Sequence, residues 1–121
     1  MLANRRDQWR LTVRRGSDVE HAGFDDLDDA VATMRRRALE IRAEGPARAV
    51  SALRDFGPEA QVQARLQLAG RGLLRKPVAG VDLRGDGTFV PYRGGIGREE
   101  LDPTEYETPF DAVREALEAR R

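Results

Sequence analysis

The sequence predicts an α+β domain: a mostly antiparallel sheet of about five strands, order β-β-α-(α)-β-β-β-α, with two main helices packed on one face. Three observations carry this. Gln61–Ala69 alternates without a slip, with Val62, Ala64, Leu66 and Leu68 to one side and Gln61, Gln63, Arg65 and Gln67 to the other, as in a half-buried strand. Leu27, Val31, Met34, Ala38 and Ile41 recur at a 4-3-4-3 spacing, which places them on one stripe of an α-helix. Gly85-Asp86-Gly87, between Val81/Leu83 and Thr88–Tyr92, supplies the positive φ angles of a tight hairpin turn.

In chain order, residues 1–8 read as a flexible tail. Trp9, Leu11 and Val13 then alternate with Arg10, Thr12 and Arg14 in a first strand anchored by an aromatic. Gly16-Ser17-Asp18 turns the chain, and Val19–Phe24 returns with His21 on the side of Val19. Asp25, Asp26, Asp28 and Asp29 open the first helix and Arg35, Arg36, Arg37 and Arg42 occupy its second half, the polarity a helix dipole favours. Gly45-Pro46 stops it. Ala47–Phe56 reads as a short helix, although Val50, Ala52 and Arg54 also fit a strand.

Beyond the hairpin, residues 93–107 lack periodicity and read as a flexible loop. Thr108 as N-cap, Pro109 at the first helical position and Asp111 at the third open a last helix that turns Phe110, Val113 and Leu117 inward. Asp-Ala-Val occurs in both helices, at Asp29-Ala30-Val31 and Asp111-Ala112-Val113, a weak hint of duplication.

With 121 residues, the chain fits one domain spanning 1–121 and burying about two thirds of its unfolded surface. Its 40% hydrophobic and 35% charged residues suit neither a disordered chain nor a membrane protein. No apolar segment follows the basic residues at the start, so a cytoplasmic location is expected. The absence of cysteine excludes disulfides, thiolate metal sites and cysteine nucleophiles.

Net charge is zero, yet residues 61–98 carry seven basic groups against two acidic, and residues 99–121 carry three against eight. The simplest expectation is that the acidic C-terminal segment lies against the basic hairpin region and neutralises it.

Catalytic and metal readings find little support. His21 is the only histidine and has no metal-type spacing around it. The aspartates at 25–29 suit helix capping better than a calcium loop. Gly94-Gly95-Ile96-Gly97 lacks the third glycine of a dinucleotide fingerprint, Glu100 standing in its place, and Glu99 would repel phosphate. Arg84-Gly85-Asp86 matches an integrin-binding tripeptide, which three residues do often by chance. Ser17 and Ser51, the only serines, lie outside any nucleophile elbow. No enzyme activity, cofactor or metal is expected.

The expectation is therefore a non-catalytic interaction domain, binding a protein partner or a second copy through the sheet face or an exposed edge. The face residues predicted to carry it are Arg10, Arg14, Gln63, Arg65, Gln67 and Arg84. The helix, three strands and C-terminal helix from about Asp25 to Arg121 resemble the double-stranded-RNA-binding arrangement and are similar in outline to ribosome-hibernation factors. That resemblance implies RNA or ribosome association as the alternative. It departs at the start of the last helix, where that family places basic residues and this chain has Glu105, Glu107 and Asp111.

Overall fold

The computed structural model describes residues 8–45, 62–71 and 76–118. Expectations for residues 1–7, for 47–56 and for Gln61 lie outside the described residues. The chain forms β1 (Trp9–Arg15), β2 (Asp18–Phe24), α1 (Leu27–Glu44), β3 (Val62–Gly70), β4 (Val78–Arg84), β5 (Phe89–Arg93), β6 (Glu99–Glu100), a 3-10 turn (Pro103–Glu105) and α2 (Pro109–Glu118). All neighbouring strands pair antiparallel in one sheet of order β2-β1-β3-β4-β5-β6, one strand more than the sequence predicts.

Local chemistry sets the joints. Gly16, at φ +62°, occupies the first position of the two-residue turn between Arg15 and Asp18, where a left-handed residue matches strand twist. In the second hairpin only Gly87 takes a positive φ, +89°, closing a loop in which its N–H donates to the Arg84 carbonyl at 2.9 Å. Asp26 caps α1, its carboxylate accepting from the Asp28 N–H at 2.7 Å. Thr108 caps α2 as expected, its hydroxyl accepting from the Asp111 N–H at 3.1 Å.

The two helices cover one face of the sheet. Trp9, Leu11 and Val13 of β1, Leu66 and Leu68 of β3, and Ala79, Val81 and Leu83 of β4 meet Met34, Ala38 and Ile41 of α1 and Val113 and Leu117 of α2. The predicted helix stripe is buried throughout, and Ala30 and Ala38, with no exposed surface, let α1 approach the strands closely. Phe89 closes the far end edge-on to Phe110, ring centroids 5.4 Å apart.

Two expectations need correction. A bulge between Val62 and Ala64 inserts Gln63 into β3 and reverses the alternation there. Val62 consequently leaves the Leu66 side and is 46% exposed, while Gln63 is buried and donates from Nε2 to the Gly45 carbonyl at 2.8 Å, satisfying the end of α1. Residues 93–107 also hold more regular structure than a loop, namely the last residue of β5, β6 and the 3-10 turn. Two residues are too few to show a period, and what places Glu99 and Glu100 is charge. Glu99 bonds Arg93 at 2.9 Å and Glu100 bonds Arg84 at 3.0 Å, so the acidic segment does lie against the basic hairpin.

Candidate functional site

The sheet face away from the helices carries no second layer among the described residues. Strand register arranges it in rows. One runs His21, Thr12, Gln67, Gly80, Tyr92, Glu100 across all six strands, and the next runs Val19, Arg14, Arg65, Asp82, Val90.

Half of this face is closed by its own side chains. Tyr92 lies across Gly80 of the neighbouring strand and reaches β3, where its hydroxyl donates to Gln67 Oε1 at 2.8 Å. Arg65 forms a fork onto Asp82, Nε to Oδ1 at 2.7 Å and Nη2 to Oδ2 at 3.2 Å. Arg98, from the β5–β6 connection, reaches the same carboxylate at 3.4 Å and sets its guanidinium 4.8 Å above the Tyr92 ring. Gly94 and Gly97, at φ +87° and +71°, turn the connection that delivers Arg98. Tyr92 is left 1% exposed and Asp82 6%.

This packing has a titration consequence. Burial pushes the Tyr92 phenol up to about 12, with the Asp82 charge adding to the rise and Arg65 and Arg98 opposing it. The Asp82 hydrogen bond likewise raises Arg65 above the ordinary guanidinium value. Because the folded phenol holds its proton more tightly than the unfolded one, its contribution is intact below pH ~10 and is lost between pH ~10 and ~12. Urea unfolding at pH 9 and 12 is expected to show wild type losing up to about 3 kcal/mol more than Tyr92→Phe. An equal loss in both proteins would refute it.

The other half, over β2 and β1, is open. Arg10 and Arg14 are exposed there and have no carboxylate partner among the described residues. His21 Nδ1 lies 3.2 Å from Thr12 Oγ1. Of the predicted face residues, then, Arg10 and Arg14 stand uncovered, Arg65 and Arg84 are held by carboxylates, and Gln67 is engaged by Tyr92. Gln63 points to α1 and leaves the set, because the bulge turns it over.

The feature that sequence reading located only as an unspecified edge is β2 itself. Every residue of β2 from Asp18 to Gly23 is exposed, on both faces. The Arg71 N–H donates to the Gln8 carbonyl, so even-numbered residues of β1 bond toward β3 and odd-numbered ones toward β2. In the β1–β2 register this turns Asp18, Glu20, Ala22 and Phe24 inward and leaves the backbone N–H and C=O of Val19, His21 and Gly23 directed outward. Arg37 of α1 braces the strand from the helix side through a fork onto Glu20, Nη2 to Oε2 at 2.7 Å and Nε to Oε1 at 3.2 Å, which lowers the Glu20 pKa. Beneath β2, a cavity of about 180 Å³ lies between the strand and α1, lined by Leu11, Val13, Ala22, Thr33 and Arg36 among others.

Among the described residues no cluster of three or more histidine or carboxylate side chains is placed to hold a metal ion, and no helix is long and apolar enough to cross a membrane. No protein-family model, curated protein or solved structure matches the chain.

Proposed function

We propose that this chain is a non-catalytic interaction domain that binds a protein partner by accepting an added strand along the outer side of β2. The observation that carries it is the outward row of backbone groups at Val19, His21 and Gly23 on a seven-residue edge strand. Among the described residues each is an unused donor or acceptor, and an extended segment would satisfy them as a further strand of the same sheet. Natural edges are commonly blunted by proline, bulges or very short length. β2 has none of these, and its Glu20 is already tied to Arg37.

The edge is favoured over the face as the protein-binding surface. A partner packed flat on the face would bury Arg10 and Arg14, and burying guanidinium groups without carboxylates is costly. RNA association through the face draws on these same two arginines, since Arg65 and Arg84 are neutralised internally. The buried Tyr92 presents no ring on which a base could stack.

His21→Pro tests this reading with the β1–β2 ladder intact, because the N–H that proline removes points away from β1. Peptides selected from a random extended library on the wild-type chain are expected to lose binding to His21→Pro at least tenfold, with urea stability changed by less than about 1 kcal/mol. Peptides that bind both proteins equally would overturn the reading. Light scattering across a concentration series shows whether a second copy can fill the same edge.

A further inference from the structure

We infer that the strand accepted by β2 is an acidic extended segment, with two carboxylates four residues apart on one side and small apolar side chains on the other, read by Arg10 and Arg14. This rests on the strand-addition reading and specifies its partner.

The first observation is a charge left unmatched. Arg65, Arg84, Arg93 and Arg98, on or beside the same sheet, are each held by a carboxylate. Arg10 and Arg14 are exposed on β1 with none among the described residues, and the adjoining positions of β2 on that face are Val19, His21 and Gly23, none of them acidic.

The second observation is register. Arg10 stands opposite Gly23 and Arg14 opposite Val19. A strand hydrogen-bonded outside β2 places its own residues opposite Gly23 and Val19 on the open face, in the same two rows. Those residues are four apart, about 13 Å along the strand, which is also the spacing of Arg10 and Arg14 on theirs. Each arginine must reach across one intervening strand, about 10 Å between backbones. Gly23 has no side chain to obstruct the first crossing and Val19 has a short one at the second. An extended arginine and a glutamate together cover that span.

The third observation gives the other side of the segment. Residues opposite Glu20 and Ala22 point toward the helices, where the cavity under β2 is lined by the apolar Leu11, Val13 and Ala22 together with Glu20, Arg36 and Arg37. Short apolar side chains fit against Leu11, Val13 and Ala22, and the arginines lining the cavity are already matched, Arg37 by Glu20 and Arg36 by Glu40. The recognised pattern is thus acid, apolar, any, apolar, acid.

Chemistry also separates this occupant from the others. A second copy pairing antiparallel about His21 would set Val19 opposite Gly23 and bring no carboxylate to either arginine. Nucleic acid would meet two guanidinium groups and, among the rings of the described residues on this face, only the His21 imidazole.

The test measures binding of the full chain to a fluorescent peptide, Gly-Thr-Glu-Val-Thr-Val-Glu-Thr-Gly, and to its twin with both glutamates replaced by glutamine. Wild type is expected to prefer the acidic peptide by about tenfold, a preference that falls steeply with salt. The double variant Arg10→Gln/Arg14→Gln is expected to bind both peptides equally, at the level of the glutamine twin, and His21→Pro to bind neither. Equal binding of the two peptides by wild type, lost in His21→Pro, would overturn the acidic partner and leave strand addition standing. Binding of neither peptide, or binding unaffected by His21→Pro, would overturn both. Tighter binding of single-stranded polyuridine than of the acidic peptide, abolished by the double variant, would assign the arginines to nucleic acid instead.

Discussion

Gly80→Ala is expected to destabilise the fold by about 3 kcal/mol or more, although the substitution adds one methyl group and raises strand propensity. A Cβ at position 80 would stand 2.2 Å from the Leu66 carbonyl oxygen, 2.7 Å from the Tyr92 hydroxyl and 2.9 Å from the Gln67 Cα. Two of these three atoms belong to backbone in the middle of the sheet, so they cannot swing aside as a surface side chain would. Relief requires β3 and β4 to separate, or Tyr92 to lift off and release both its bond to Gln67 and the Arg98 guanidinium stacked upon it. The measurement is urea unfolding of Gly80→Ala beside Tyr92→Phe. If lifting the ring is the easier route, the alanine variant also exposes Tyr92 and shifts its phenol titration toward the ordinary value. A loss below about 1 kcal/mol would mean that the strands are farther apart at this point than described.

The second large effect lies on the opposite face of the same strand pair. Leu66→Ala is expected to cost about 3 kcal/mol, because Leu66 has no exposed surface and lies in the core between its cross-strand neighbours Val13 and Val81, on the face that α1 covers. Val62→Ala, four residues earlier in the same strand, is expected to cost less than about 0.5 kcal/mol. The unbroken alternation of β3 would make the two equivalent. The bulge at Gln63 separates them, leaving Val62 46% exposed on the open face. A loss at Val62 comparable to that at Leu66 would place the bulge elsewhere.

That contrast shows where the sequence can be read and where it cannot. β1, the α1 stripe with its acidic start, the Thr108 cap and the hairpin are legible because each is fixed by residues within a turn or two of one another. The bulge is not, since Gln63 turns over to satisfy the carbonyl of Gly45, a partner 18 positions away with no local signature. β6 escaped notice because two residues carry no period, although the charge imbalance between residues 61–98 and 99–121 did foretell which surfaces it joins.

The candidate site was legible in part. Arg10, Arg14, Arg65, Gln67 and Arg84 do share the face away from the helices. Which of them stay available depends on register and on side chains from distant strands, and those contacts close Arg65, Gln67 and Arg84. One available clue pointed to the closed half: a glycine in the middle of an apolar strand marks a close approach, and Gly80 is where Tyr92 crosses. The directions of the β2 amides could not be read from composition at all, since they follow from which side of β1 each residue bonds.

Among the described residues the two borders of the sheet are unequal, with a seven-residue strand at one and the two-residue β6 at the other. Assembly along a sheet propagates only when a newly added unit offers a fresh border like the one it has consumed. Here an incoming strand finds a full-length template on a single side, and docking there uses it up. On the strand-addition proposal, growth through the described strands would be self-limiting, ending in a one-to-one complex or a closed pair.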